Sequence, residues 1–250
     1  MDAVVQQLCS GLRAARLPIP CTAWARSFLS AQKITSPPPK SKLPPLIESA
    51  RTAILAADLT APNFLDASLV SGFPPPATFA ADVQEASLPA DVIVQVLDIE
   101  DLTRSRWDQV QELEAVERGE MRKGREIIRA PVDDDEAGGA SGGRKKTHAS
   151  TEGATGRDTA THRLVLQDHT GFQAFALEFS RIRALGVGTT TIGAKLLISA
   201  GARVARGMIL LEPANCAVLG GGVASWHAKW VEEKKKRLKE TVAPVAGRKK

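Results

Sequence analysis

The residues in the sequence that could carry chemistry do not form a recognisable catalytic set. Asp98, Glu100 and Asp101 lie close together at the end of a predicted strand, but no complementary histidine accompanies them. Acid–base catalysis and cation binding both require such additional groups at defined positions. His169 falls in a predicted turn, where we expect an exposed histidine. The pattern favours solvated polar residues, so we predict no enzyme activity and no metal or other cofactor.

The cysteines and glycines also lack the spacing of known ligand sites. Cys9, Cys21 and Cys216 are far apart, include no closely spaced pair and have no histidine at zinc-ligand spacing. The glycine-rich stretch at 138–143 lacks the glycine and lysine order of a phosphate loop and follows no predicted strand. We therefore expect three reduced cysteines and no nucleotide site.

Length and composition limit the class of protein. The chain has 250 residues and is 43% hydrophobic, which suffices for one large core and a small second one. No apolar run approaches the ~20 residues that cross a bilayer, and the N-terminus shows no signal-peptide pattern. We expect a soluble, intracellular protein.

The net charge of +5 comes from the C-terminal end of the chain. Residues 229–250 contain nine basic and three acidic residues, so the rest of the chain is close to neutral. A basic end can add a weak, salt-sensitive attraction to phosphate. The candidates for this weak nucleic-acid contact are Lys234, Lys235, Lys236 and Arg237. The alternative is a solvated helix end followed by a disordered terminus.

The apolar segments predict an α+β fold, with an N-terminal helical bundle followed by a five-stranded OB-fold β-barrel and a C-terminal helix. Four strands are predicted at 92–99, 163–167, 172–178 and 194–198, and the last one within 206–221. A short helix is expected at 179–185. The predicted domains are a helical domain at 1–88, the OB-fold domain at 89–221, and the C-terminal helix with its basic tail at 222–250.

A long insertion, residues 102–161, separates the first two predicted strands. Its first part predicts an amphipathic helix over 103–129, with Thr103 as the N-cap and with Trp107 and Val110 among the apolar positions at helical spacing. Its second part, 131–161, is poor in apolar residues and rich in Gly, Ser, Thr and charge. Such a composition predicts a flexible loop.

The aromatic residues do not predict a base-stacking surface. Tyrosine is absent, and the barrel region contains only Phe172, Phe175 and Phe179. The spacing of Phe175 and Phe179 indicates packing in the core or against a helix, so a dedicated stacking platform is not expected. Trp226 and Trp230 lie one turn apart on the C-terminal helix, where they either cover the open end of the barrel or meet a partner.

Several short segments together resemble the RecQ-mediated genome instability protein 1 family, including its short fungal members. They are Leu-Val-Leu-Gln-Asp at 164–168, Gly-Ala-Lys-Leu at 193–196, Arg-Gly-Met-Ile-Leu-Leu-Glu-Pro-Ala-Asn at 206–215, Val-Leu-Gly-Gly at 218–221 and Glu-Ala-Val-Glu-Arg-Gly-Glu at 114–120. The resemblance covers most of residues 90–230 and is strongest around the last predicted strand.

The resemblance implies a non-catalytic nuclear subunit of a complex that contains a RecQ-type helicase and a type IA topoisomerase III. Such a complex dissolves double Holliday junctions and acts in DNA replication, homologous recombination and repair. The resemblance also implies that the OB-fold docks on the topoisomerase, and that the insertion at 102–161 reaches its gate and tunes decatenation.

By the same resemblance, the candidate residues for docking and for the gate loop are Lys195, Trp107, Arg118, Arg122, Lys123, Arg125 and Arg129. The alternative reading is an autonomous OB-fold protein that binds single-stranded nucleic acid.

Overall fold

The computed structural model describes residues 2–34, 43–117 and 160–242 of the chain. It divides into two compact units, one formed by residues 1–103 and 161–233 and the other by residues 104–160 and 234–250. The domain limits at 88 and 221 stay predictions. Among the described helices, none is both long enough and apolar enough to cross a membrane.

Helices α1 (Asp2–Ala14), α2 (Thr22–Ala31) and α3 (Leu43–Ala56) form the N-terminal part of the first unit. The predicted helical character of this region is confirmed, and apolar side chains such as Leu8 and Leu12 on α1 and Ile54 on α3 are buried. The α2 helix begins after Cys21, whose Sγ accepts a hydrogen bond from the backbone N–H of Trp24 at 3.4 Å. This cysteine therefore serves as a helix cap.

Eight strands among the described residues form one curled sheet, in the order β1, β6, β7, β4, β3, β2, β5, β8. All neighbours are antiparallel except β4 and β7, which are parallel. The strands are β1 (Ala86–Ser87), β2 (Val92–Asp101), β3 (His162–Gln167), β4 (Gln173–Glu178), β5 (Lys195–Ile198), β6 (Arg203–Ala205), β7 (Met208–Leu211) and β8 (Cys216–Gly220).

Chain connectivity closes most of this sheet into a barrel. Only residues 199–202 separate β5, which pairs with β2, from β6, which pairs with β7. The inward side chains of the alternating strands, such as Val94, Leu164 and Ile209, form the core of the barrel. The predicted strands at 92–99, 163–167, 172–178 and 194–198 are confirmed to within two residues at each end.

The strand predicted within 206–221 is present as β7, but its assignment as the last strand is wrong, because β8 follows it within the same stretch. Pro213 lacks an N–H for a sheet ladder, and the Asn215 side chain accepts a hydrogen bond from the N–H of Glu212 at 2.9 Å, so the chain turns after β7. It then forms β8, which pairs with β5. Upstream, Arg206 and Gly207 have φ of 50° and 84°, as in a two-residue hairpin turn, and this turn creates β6.

Two helix predictions also need correction. Residues 179–185 form turns, not a short helix. The helix predicted over 103–129 begins later, as α4 (Arg106–Glu117), because Ser105 caps it: the Ser105 Oγ accepts from the N–H of Asp108 at 3.0 Å. Thr103 bonds Asp101 instead. The rest of that predicted helix, and the predicted flexible loop up to residue 159, lie outside the described residues.

The segment between α3 and β1 lies against the barrel. Phe73 and Phe79 pack against Phe172 of the β3–β4 hairpin, with ring centroids 6.1 and 5.5 Å away. The buried carboxylate of Asp168 joins the two regions, since it accepts hydrogen bonds from the N–H groups of Phe73, Thr170 and Phe172 at 2.7, 2.9 and 3.1 Å.

Helix α5 (Ala224–Val242) begins against the barrel core. Trp230 is buried in this core, and Trp226 packs against it. The Trp230 Nε1 donates a 2.6 Å hydrogen bond to the Asp98 carboxylate. Of the two alternatives that the sequence left open for these tryptophans, the structure supports the first, since both cover the barrel core.

We expect Asp168→Ala to lower the free energy of unfolding by about 3 kcal/mol, because three backbone N–H groups lose a charged acceptor in a buried place. Urea unfolding measures this loss. Asp66→Ala is the matched control, since the carboxylate of this half-buried aspartate bonds its local turn through Ser68 and its loss should cost less than about 1 kcal/mol. Equal losses in the two variants would show that Asp168 is not a structural anchor.

Candidate functional site

The carboxylates at the end of β2 have structural partners. Asp98 binds Trp230, the Glu100 carboxylate lies 2.7 Å from Nη2 of Arg163, and Asp101 accepts from Thr103. Across the described ranges, no group of three or more His, Cys, Asp or Glu could hold a metal ion. His169, which we expected to be exposed, is half-buried. These contacts give the acidic residues of β2 a role in positioning the barrel.

The base of the insertion is a defined structural feature. Strands β2 and β3 pair up to Asp101 opposite His162, and the N–H of Leu102 then donates to the carbonyl oxygen of Thr161 at 2.9 Å. The insertion therefore leaves and re-enters the barrel at adjacent positions. A rigid barrel can fix both ends of the insertion at these two points, independently of what the insertion contacts.

The described part of the insertion presents two large apolar side chains to solvent, those of Leu102 and Trp107. Trp107 on α4 is 56% exposed, which agrees with the exposure that a partner contact needs. On the same helix, the Glu114 carboxylate pairs with Lys239 of α5 at 2.5 Å. The other candidates in the insertion, Arg118, Arg122, Lys123, Arg125 and Arg129, lie outside the described residues.

Lys195 is buried, whereas a docking contact requires an exposed side chain. Its side chain is 0% exposed, and its Nζ donates hydrogen bonds to the carbonyl oxygens of Ala57 at 2.5 Å and Gly193 at 2.6 Å. It points outward from β5, but the segment after α3 covers this part of the barrel. The structure therefore does not support Lys195 as an exposed docking contact. Instead, its hydrogen bond to Ala57 connects the helical region to the barrel.

A buried polar cluster surrounds Lys195. Gln95 of β2 donates to the Asp58 carboxylate at 2.7 Å and to the Gln167 side chain at 3.0 Å, and it accepts from the N–H of Leu59 at 3.0 Å. Burial lowers the pKa of Lys195 to about 8, although the nearby Asp58 carboxylate acts in the opposite direction. Burial alone would raise the pKa of Asp58, but hydrogen bonds from Gln95 and Thr60, helped by the charge of Lys195, lower it overall.

The basic candidates for a nucleic-acid contact lie on α5. Lys236 is exposed, whereas Lys234, Lys235 and Arg237 are half-buried. The Lys235 Nζ lies 3.9 Å from the Glu114 carboxylate. Part of the positive charge of this segment is therefore already balanced within the second unit. Its contact with nucleic acid stays a prediction.

Two phenylalanines that we expected to be packed are exposed instead. Phe175 of β4 is 50% exposed and Phe179, just after β4, is 58% exposed. The guanidinium carbons of Arg163 and Arg203 lie 5.6 Å from the ring centroids of Phe175 and Phe179 respectively. The four-residue spacing suggested helical packing, but in a strand it places both rings on one face.

Comparison with known proteins identifies the family. The family described as "RMI1, N-terminal OB-fold domain" matches residues 75–234, which is more than half of the chain. The chain belongs to this family. A relative, RecQ-mediated genome instability protein 1 of Schizosaccharomyces pombe, is 28% identical over 160 residues, which cover 61% of this chain and 66% of the relative. The match therefore spans slightly less than two thirds of that relative.

The region that matches the RMI1 family includes all eight described strands, so the OB-fold prediction is confirmed in class, while the strand count is higher than predicted. It also includes Lys195 and the exposed phenylalanines.

This RMI1 family member contains a buried ionic cluster around Glu178 that was not predicted from the sequence. The Glu178 carboxylate lies 2.6 Å from Nδ1 of His162 and 2.6 Å from Nη1 of Arg181, and it accepts from the N–H of Ile182. The alternation of β4 places Glu178 on the inward face, and this position is the sequence signal from which a buried partner could have been inferred. The cluster fixes the chain after β4 against the start of β3, immediately below the insertion.

We expect the buried Lys195 to make the stability of this family member rise with pH. Its folded pKa of about 8 lies below its ordinary value of 10.5, so between these values the unfolded state holds more protons and unfolding becomes less favourable as pH rises. The gain across the window is about 3 kcal/mol, at 1.36 kcal/mol for each pKa unit. Lys195→Met removes this gain.

The measurement is urea unfolding of both proteins from about pH 7, which is below the folded pKa of Lys195, to about pH 10.5, which is the ordinary pKa of lysine. Lys229→Met, the same substitution at an exposed position of α5, is the control and should keep the pH dependence of the wild type. Parallel pH curves for the wild type and Lys195→Met would contradict the assignment.

Proposed function

We propose that this chain is a non-catalytic subunit that binds and stimulates a type IA topoisomerase III in a RecQ helicase complex. In this role it promotes double Holliday junction dissolution and decatenation during DNA repair, in the nucleus. The observation that carries the proposal is its membership of the RMI1 family over residues 75–234, together with a relative whose name links it to RecQ-mediated genome instability.

The geometry of the insertion base supports this role. A subunit that modulates the moving gate of a topoisomerase needs a fixed platform and an element that reaches the partner. The β2–β3 ladder supplies the platform, closed by the bond between Leu102 and Thr161. Residues 102–161 supply the reaching element, and the exposed Trp107 gives it an apolar anchor of the kind that dominates protein interfaces.

The proposal is tested with purified topoisomerase III. We expect the full chain to capture the topoisomerase in a pull-down and to increase the rate at which it decatenates DNA circles. Failure to capture it, with the chain shown to be folded by circular dichroism, would overturn the proposal.

Replacing residues 132–158 with a short Gly-Ser linker separates docking from stimulation. The substitution keeps α4 and the bond between Leu102 and Thr161, so we expect unchanged stability and unchanged capture of the topoisomerase. The decatenation rate should change, because the element assigned to the gate is shortened. Loss of capture would place the docking contact within 132–158 and contradict this division of roles.

Trp107→Ala tests the apolar anchor. Truncating an interface tryptophan typically costs about 2 kcal/mol or more, which corresponds to about 30-fold weaker binding to the topoisomerase. Val231→Ala is the control, since Val231 is a helical residue of similar exposure, 48%, outside the insertion. Surface plasmon resonance compares the two variants, and equal affinities would exclude Trp107 from the interface.

A further inference from the structure

The outer face of β3, β4 and β7 carries apolar side chains that the fold leaves partly or largely exposed. Ala174, Ala176 and Glu178 of β4 are buried, so Phe175 and Phe179 project to the other face. The two residues paired with Phe175 across the ladder, Val165 of β3 and Met208 of β7, are half-buried on that face, and so is Leu177 of β4. Phe175 and Phe179 are at least half exposed on the same face, and exposed apolar patches of this kind mark binding sites for a partner or ligand.

Each exposed ring has an arginine beside it. The Arg163 guanidinium lies over Phe175 and the Arg203 guanidinium lies over Phe179, both at 5.6 Å from the ring centroid. Glu100 and Glu212 hold these arginines in place, with closest N to O distances of 2.7 and 3.3 Å. The face therefore carries two phenylalanine–arginine pairs, and in each pair an aromatic ring lies next to guanidinium N–H donors.

We propose that this face, made by Phe175, Phe179, Arg163 and Arg203, is a contact site for single-stranded nucleic acid. Unpaired bases stack on aromatic rings and on guanidinium planes, and arginine N–H groups bind phosphate. The face formed by the second and third strands of an OB barrel, here β3 and β4, is the one that this fold uses for oligonucleotides. The inference does not depend on the proposed topoisomerase role.

The spacing of the rings suits an extended strand. Phe179 still pairs with the sheet, since its N–H donates to the carbonyl oxygen of Leu211 at 2.9 Å. Phe175 and Phe179 are thus four residues apart along an extended backbone, or about 13 Å at the usual rise. A few nucleotides of single strand bridge this distance, so each ring can hold one base with unstacked nucleotides between them.

The charges on this face predict weak binding with a small salt dependence. Two arginines face two glutamates, so the phosphates must draw each guanidinium away from its carboxylate. This movement uncovers the ring for a base. With two phosphate contacts on a single strand, the two arginines account for a slope of about −1.4 in the logarithm of affinity against the logarithm of salt.

The test uses the full chain and a fluorescein-labelled oligothymidylate of about 16 nucleotides, the upper end of the span that one OB fold covers. The double variant Phe175→Leu, Phe179→Leu keeps an apolar face but removes the rings, and it leaves every charge in place. The contribution of the basic C-terminal segment is therefore equal in both proteins. We expect at least about fivefold weaker binding for each ring removed, measured by anisotropy.

Three matched measurements identify stacking as the cause. Phe175→Trp should keep the affinity, and its added fluorescence should be quenched when the oligonucleotide binds. The double variant Arg163→Gln, Arg203→Gln should lose the contribution of about −1.4 to the salt-dependence slope that the two arginines make. Arg51→Gln on α3 should leave the slope unchanged. Leu69→Ala, which removes a side chain as exposed as Phe175, should bind like the wild type.

Binding by the wild type that the Leu double variant retains overturns the proposal, because the basic segment alone then explains it. Absence of binding by the wild type also overturns it. Loss of topoisomerase capture in the Leu double variant, with oligonucleotide binding unchanged, overturns it as well and assigns this face to a protein partner. A duplex of the same length should bind no better to the wild type than to the Leu double variant, since paired bases cannot stack on the rings.

Discussion

The first unit depends on a buried polar contact between the segment after α3 and the outer face of the barrel. Lys195 and Gln95 project from neighbouring positions of β5 and β2, and they bind the backbone of Ala57, the backbone of Leu59 and the carboxylate of Asp58. Hydrogen bonds satisfy these groups in a site that excludes water, so only one arrangement of helices and barrel satisfies all of them.

Apolar contacts extend this junction on both sides. Ile93 of β2 and Leu219 of β8 project from the barrel and pack against the helical core, and Leu197 of β5 is buried. The close approach of the backbones leaves no room for a side chain at Gly221, where an added Cβ would lie 2.4 Å from the carbonyl oxygen of Leu55. The outer face of β2, β5 and β8 is therefore covered by the protein itself, with the polar cluster at its centre.

The fold could be predicted from the sequence where one physical signal acts alone. Strands β3 and β4 alternate strictly, and their turn carries Asp168 and Gly171, so their limits and pairing follow from the pattern. The region after β5 combines two turns within a few residues, and the short strand β8 that follows the break at Pro213 was not predicted as a separate strand. Local turn chemistry at Arg206 and Asn215 decided the outcome there.

The site residues were harder to predict, because exposure on an outer barrel face is set by what covers it. Lys195 and Phe175 both project outward from their strands, yet Lys195 is fully buried and Phe175 is half exposed. The difference lies in the position of the helices, which pack over one half of the barrel, and no local pattern encodes that position. Glu178 shows the complementary case: the alternation of β4 is compatible with an inward side chain, but only the structure shows His162 and Arg181 as its partners.

The helices thus decide which part of the barrel is available for binding. An OB barrel in isolation offers its whole outer face, and here apolar residues occupy that face on every central strand. The half formed by β2, β5 and β8 uses them to hold the helices, so its sequence is constrained by stability. The half formed by β3, β4 and β7 has no such internal use, and its Phe175 and Phe179 remain in solvent at a cost in solubility. Since removing them from this face would not open the core, their presence is better explained by a contact outside the chain than by the requirements of folding.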